Sequence, residues 1–222
     1  MDKFQISEVF AQNLKALRKS RNQTRNAFAA SIDGFASTVQ GYEAGAKLPT
    51  FHRFCALSNA LNTSPNTLLA GLFPWRTELE DVHGIEAAMG FLHGINRQHL
   101  INMQNDFIRC ILETPPSLSG ASFGTRLSIL RQDIELEAGD LAERCNLSRS
   151  TLQGYESGQY VPSLPSVLSL CEVFGVSPEY LLAPCQHTRT YSDDRFYALR
   201  PRQLSALCSM TQKISDALND RP

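Results

Sequence analysis

The sequence lacks any uninterrupted apolar run approaching the roughly 20 residues that a membrane-spanning helix needs. The opening stretch MDKFQISEVFAQ has charged and polar residues where a secretory signal would carry an apolar core. Both absences point to a cytoplasmic chain with no membrane partner. An excess of one charge is missing too: 21 Lys and Arg stand against 22 Asp and Glu, for a net charge of −1. Such a balance argues against a protein that coats a polyanion indiscriminately. The six cysteines (Cys55, Cys110, Cys145, Cys171, Cys185 and Cys208) form no C-x-x-C pair, and the five histidines form no cluster, so buried thiols and no metal are expected. The sequence has no glycine-rich phosphate loop and no nucleophile–base constellation, so it does not read as an enzyme and calls for no cofactor.

What is present is a repeat. Shifting the 222-residue chain by 113 positions lays the segment that starts at Phe10 over the one that starts at Phe123 without a gap, with about a third of the pairs identical. The longest matching run sets Ser37-Thr38-Val39-Gln40-Gly41-Tyr42-Glu43 against Ser150-Thr151-Leu152-Gln153-Gly154-Tyr155-Glu156. Each copy reads as five short helices. Phe10, Leu14 and Leu17, like Phe123, Leu127 and Leu130, recur at helical spacing and give the first helix one apolar stripe. The second helix covers about 24–31 or 137–145, and the third about 36–44 or 149–157. Gly45 and Gly158 then suit a left-handed C-cap, with Pro49 and Pro162 beyond them. A fourth helix buries Phe54, Leu57 and Leu61, or Val167, Leu170 and Phe174. The fifth opens on Ser64-Pro65 or Ser177-Pro178, a cap residue followed by proline at the first helical position.

Two short helices joined by a tight turn, with three more closing a core, resemble the lambda-repressor-like and Cro-like helix-turn-helix regulators. The similarity covers about 60 residues in each copy, and LSRSTLQGYESGQYVPS is the closer match to the family's recognition helix, its Tyr-Glu-x-Gly ending and the proline that follows. The resemblance implies an all-α protein of two tandem five-helix units, each followed by a further helical segment. It also implies a sequence-specific transcriptional regulator, a repressor at an operator in double-stranded DNA.

A recognition helix in the major groove must turn its outer face to base edges while its inner face stays apolar. In the second copy Ser148 is the expected N-cap, and Arg149, Ser150 and Gln153 point outward with Thr151 nearby. Arginine suits guanine and glutamine suits adenine, which makes Arg149 and Gln153 the preferred base readers. In the first copy the corresponding residues are Ala36, Ser37, Thr38 and Gln40, with Arg25 and Lys47 as flanking cations. Where family members carry a Thr-Gln pair at the start of the second helix, this chain has Thr24-Arg25 and Glu137-Ala138; arginine can replace a phosphate contact and alanine cannot. Phe35 stands where the second copy has Ser148. Tyr42, Glu43, Tyr155 and Glu156 read as structural, with Arg18 and Arg131 as partners for the carboxylates. Residues 1–70 hold eight Lys or Arg and four acids, a net of +4, whereas residues 121–185 hold four against eight, a net of −4. Non-specific attraction to phosphates is therefore expected mostly from the first copy.

The expected boundaries are a first domain over 7–72, a connecting helical segment over 78–113, a linker over 114–121, a second domain over 122–184 and a C-terminal helix over 195–219. Ile85, Met89, Leu92, Leu100, Met103, Phe107 and Ile111 suggest one long helix from about 84 to 113, and Leu204, Leu207, Ile214 and Leu218 another. Such stripes need covering, by packing back on their own five-helix units, by pairing of the two halves or by a second chain, and a homodimer is the expectation. A different class of function is an antitoxin-like module in which one unit binds a protein partner; RNA is a third candidate ligand.

Overall fold

The computed structural model describes residues 3–72, 77–90, 92–112, 118, 121–183 and 194–219. These residues form thirteen α-helices and no strand, so the chain is all-α. The first five are α1 (Lys3–Ser20), α2 (Arg25–Ala30), α3 (Ala36–Glu43), α4 (Phe51–Ala60) and α5 (Pro65–Leu68). Then come α6 (Thr77–Gly90) and α7 (Gly94–Leu112). The next run is α8 (Phe123–Asp133), α9 (Ala138–Arg144), α10 (Arg149–Glu156), α11 (Leu164–Phe174) and α12 (Pro178–Leu182), and α13 (Pro201–Asn219) is last. Two compact units result. One gathers α1–α5 and α8–α12, and the other gathers α6, α7 and α13.

In the first unit, α1 buries Ile6, Phe10 and Leu14, one residue per turn. The Phe10 ring meets Tyr42 edge-on with centroids 6.2 Å apart and Phe54 at 5.9 Å. Phe28, Val39, Leu57, Leu61 and Leu68 complete this core. Leu127, Leu130, Leu141, Leu152, Val167 and Leu170 occupy the corresponding places around α8–α12. Each such side chain contributes about 1.5–3 kcal/mol by leaving water, so the short α2, α3, α9 and α10 are held by packing, since helices of this length are not stable alone. Ser64 caps α5 by accepting from the Thr67 amide, with Pro65 in its first turn.

In the second unit, the continuous helix read over 84–113 is instead two helices. Gly94, in the left-handed region at φ +58°, starts α7 on a new phase. The stripe does not run through this break. Ile85 and Leu92 are buried as the spacing implies, but α7 buries Leu100, Gln104 and Ile108, leaving Met103 exposed and Phe107 half-buried. The Ile111 side chain lies outside the described ones. On α13 the buried face is Leu204, Leu207, Cys208, Thr211 and Ser215, while Ile214 and Leu218 are half-buried. Small residues let this helix close on the other two: a Cβ at Gly84 would lie 2.8 Å from Cys208 Sγ. Gln104 Nε2 donates to Thr211 Oγ1 at 2.9 Å, and Ser215 Oγ donates to the Ala88 carbonyl at 3.1 Å. Helices from the middle and the last part of the sequence thus cover one another's apolar faces within one chain.

Cys55, Cys145, Cys171 and Cys208 are buried, but Cys110 is exposed, against the simple reading of buried thiols; Cys185 lies outside the described residues. Among the described residues no group of three or more His, Cys, Asp or Glu could hold a metal. No described helix is long and apolar enough to cross a membrane.

Candidate nucleic-acid interface

The interface begins with the turn between the second and third helix of each segment. Asp33 and Asn146 take the left-handed conformation, at φ 50° and 53°, which short polar side chains tolerate. The turn closes through Gly34 N–H donating to the Ala29 carbonyl at 2.9 Å and Leu147 N–H donating to the Ala142 carbonyl at 2.8 Å. The same reversal is therefore built from unlike sequences.

α10 is then capped as its sequence implies. Ser148 Oγ accepts from the Thr151 amide at 3.0 Å and lies 2.7 Å from Thr151 Oγ1 and 2.9 Å from Ser150 Oγ. Three hydroxyls are thereby occupied with one another at the helix start. Arg149 and Gln153 are exposed and make no side-chain hydrogen bond or ion pair among the described residues, while Leu152 and Tyr155 are buried on the opposite face. The end of the helix is clamped. Arg131 Nε meets Glu156 Oε1 at 2.7 Å, its Nη2 meets Oε2 at 3.3 Å, and its Nη1 donates to the Leu136 carbonyl at 2.9 Å. That fork fixes α10 against α8.

α3 repeats the clamp and loses the cap. Arg18 Nε lies 2.5 Å from Glu43 Oε1, with both side chains nearly inaccessible. Phe35 sits at the N-cap without a side-chain hydrogen bond and is 79% exposed. Arg25 is not an unengaged cation: its Nε lies 2.7 Å from Glu43 Oε2, although the side chain remains 43% exposed. Burial alone would raise the Glu43 pKa, but the hydrogen bonds and charges of Arg18 and Arg25 outweigh it and hold the carboxyl below its ordinary value. Arg25, Ala36, Ser37 and Gln40 come together around an open depression of about 550 Å³ whose rim also carries Arg18 and Lys19. Thr38 is half-buried beside them.

Within each third helix, a glycine makes a seat for a residue of the following loop. A Cβ at Gly41 would lie 2.7 Å from Lys47 Cε, and one at Gly154 would lie 2.1 Å from Tyr160 Cδ2. Lys47 also sits over the Tyr42 ring, 5.5 Å from its centroid. Tyr160, 55% exposed, is a candidate missing from the sequence-derived set. The signal was there: the shift of 113 that pairs Gln40 with Gln153 also pairs Lys47 with Tyr160.

Among known proteins, no curated protein and no solved structure matches this chain. Residues 122–183, which span α8–α12, are similar to the protein family described as "Helix-turn-helix domain", and a domain of that kind suggests a DNA-binding regulator.

Proposed function

We propose that the chain is a sequence-specific transcriptional regulator, a repressor acting at an operator in the cytoplasm, and that both α3 and α10 read bases in the major groove. The observation that carries the reading is the outer face of α10. Arg149 and Gln153 stand exposed and unengaged on a helix that is capped, clamped and apolar behind, in the stretch similar to helix-turn-helix domains. These two side chains suit guanine and adenine edges. The net charge of +4 over residues 1–70, against −4 over residues 121–185, assigns phosphate attraction mainly to the first segment. Arg25 contributes there by releasing one oxygen of Glu43, which Arg18 still neutralises. Because α6, α7 and α13 cover one another, the apolar stripes do not call for a second chain; a homodimer would have to join through the exposed Ile95 and Met103 of α7.

Operator binding of Arg149→Ala and Gln153→Ala, measured beside thermal melts, tests this reading. Each variant is expected to lose about 1–3 kcal/mol of specific affinity with its melting temperature unchanged. Unchanged affinity in both would remove α10 from the readers.

A further inference from the structure

Four contacts between α1–α5 and α8–α12 join like to like, beside a Phe51–Phe123 ring contact at 5.2 Å that pairs unlike positions. Thr50 and Ser163 form an isolated antiparallel bridge. Asn66 Oδ1 accepts from the Glu179 amide at 3.1 Å. Helix α4 packs on α11, and α5 packs on α12. Every one of these four pairs is a residue or helix with its own equivalent under the shift of 113. Only a two-fold relation does this at several places at once, since a head-to-tail stacking of repeats presses unlike surfaces together. An antiparallel bridge between equivalent residues is itself what a two-fold axis through that point produces.

From this we propose that one chain is a built-in dimer, which reads a single inverted and imperfect operator without a second copy. The inference rests on the DNA-binding reading above and adds the symmetry, spacing and content of the site. The spacing follows from how closely the recognition helices are tied to the axis. The Ala46 amide folds back onto the Gly41 carbonyl and the Tyr160 amide onto the Gly154 carbonyl, each at 3.0 Å. Only short runs of chain then lead from Ala46 to Thr50 and from Tyr160 to Ser163. Even fully extended, these leave Gly41 and Gly154 no more than about 45 Å apart. Half-sites one turn of DNA apart, about 34–36 Å, fit this limit, and half-sites two turns apart do not.

The imperfection follows from the outer faces. Gln40 and Gln153 are equivalents, so adenine is expected in both half-sites. Ala36 is the equivalent of Arg149, so a guanine is expected in one half-site and a thymine, through its methyl group, in the other.

The test is selection of bound duplexes from a randomised library by the full-length chain, followed by the mass of the complex formed on the selected sequence. The expected result is inverted half-sites centred about one turn apart, adenine in both and guanine in one, with one chain per duplex. Ala36→Arg should make the preferred site symmetric in guanine and bind that site about tenfold or more tighter than the wild-type chain does, with an unchanged melt confirming its fold. Direct repeats, a spacing of two turns, enrichment of one half-site alone, or two chains on one inverted pair would each overturn the proposal while leaving DNA binding intact. Failure to enrich any sequence would remove the DNA-binding reading itself, and this inference with it.

Discussion

Glu43 is the residue on which the first reading helix depends. It ends α3, is almost inaccessible, and accepts from Arg18 of α1 and from Arg25 of α2. Three helices therefore converge on one carboxylate, where Glu156 is held by Arg131, with Ala138 at the position equivalent to Arg25. The Arg18–Glu43 and Arg131–Glu156 pairs are legible in the sequence because the same two residue types recur at the same separation in both copies. The tie from Arg25 is not, since position 25 differs between the copies and only the angle between α2 and α3 brings it within reach. The consequence is a pH dependence of known sign. Because the folded pKa of Glu43 is depressed, its contribution is complete above the ordinary glutamate value of about 4.3 and is lost as pH falls through the lower folded value. Melting temperatures measured from pH 7 to pH 3 should fall steeply at the acidic end. Glu43→Gln should melt lower at pH 7, where it leaves the buried Arg18 without its counter-charge, and should show a shallower acid slope. A variant as pH-sensitive as the wild type would mean that another carboxylate governs the acid limb.

At the scale of elements, the two third helices share a length, a core-facing pair and a carboxylate clamp, and they differ at their starts. The cap at Ser148 was legible from its residue type and from the run that follows, and so was its absence at Phe35. Less legible was the turn before them, where Asp33 and Asn146 carry the left-handed conformation while the glycine at position 34 does not. A side-chain cap contributes about 0.5–2 kcal/mol. Phe35→Ser should therefore stabilise the protein by about 1 kcal/mol, because the hydroxyl can accept from the Thr38 amide as Ser148 does from Thr151. Ser148→Ala should cost a similar amount. Denaturant unfolding of both variants checks the pair, and a Phe35→Ser protein less stable than the wild type would show that the exposed ring has an apolar neighbour. The helix break before Gly94 and the choice of α7's buried face were hidden for a related reason: periodicity gives the phase of one helix, not the phase after an interruption.

For the whole molecule, the sequence displays a duplication by position, whereas the structure sorts the chain by kind. Five-helix segments far apart in sequence share one unit, and the intervening and final helices share the other. No pattern of spacing could reveal that sorting, because the seats on α13 are Thr211 and Ser215, small polar residues that a search for apolar stripes passes over. Their partners, Gln104 and the Ala88 carbonyl, satisfy the two hydroxyls inside the second unit. This covering within the chain leads to the last prediction, a contrast between two polar substitutions. Leu207 is fully buried on α13 and Met103 is 46% exposed on α7. An aspartate at position 207 would place a charge in an apolar contact, at a cost of several kcal/mol, and uncover Ile85, Leu100 and Ile108. Leu207→Asp should lower the melting temperature and aggregate in light scattering, because the uncovered stripes then find one another between chains. Met103→Glu should leave both the melt and the mass in solution as they are in the wild type. If the wild-type mass is that of two chains and Met103→Glu halves it, the exposed side of α7 joins two copies, and coverage within one chain is only part of what α6, α7 and α13 provide.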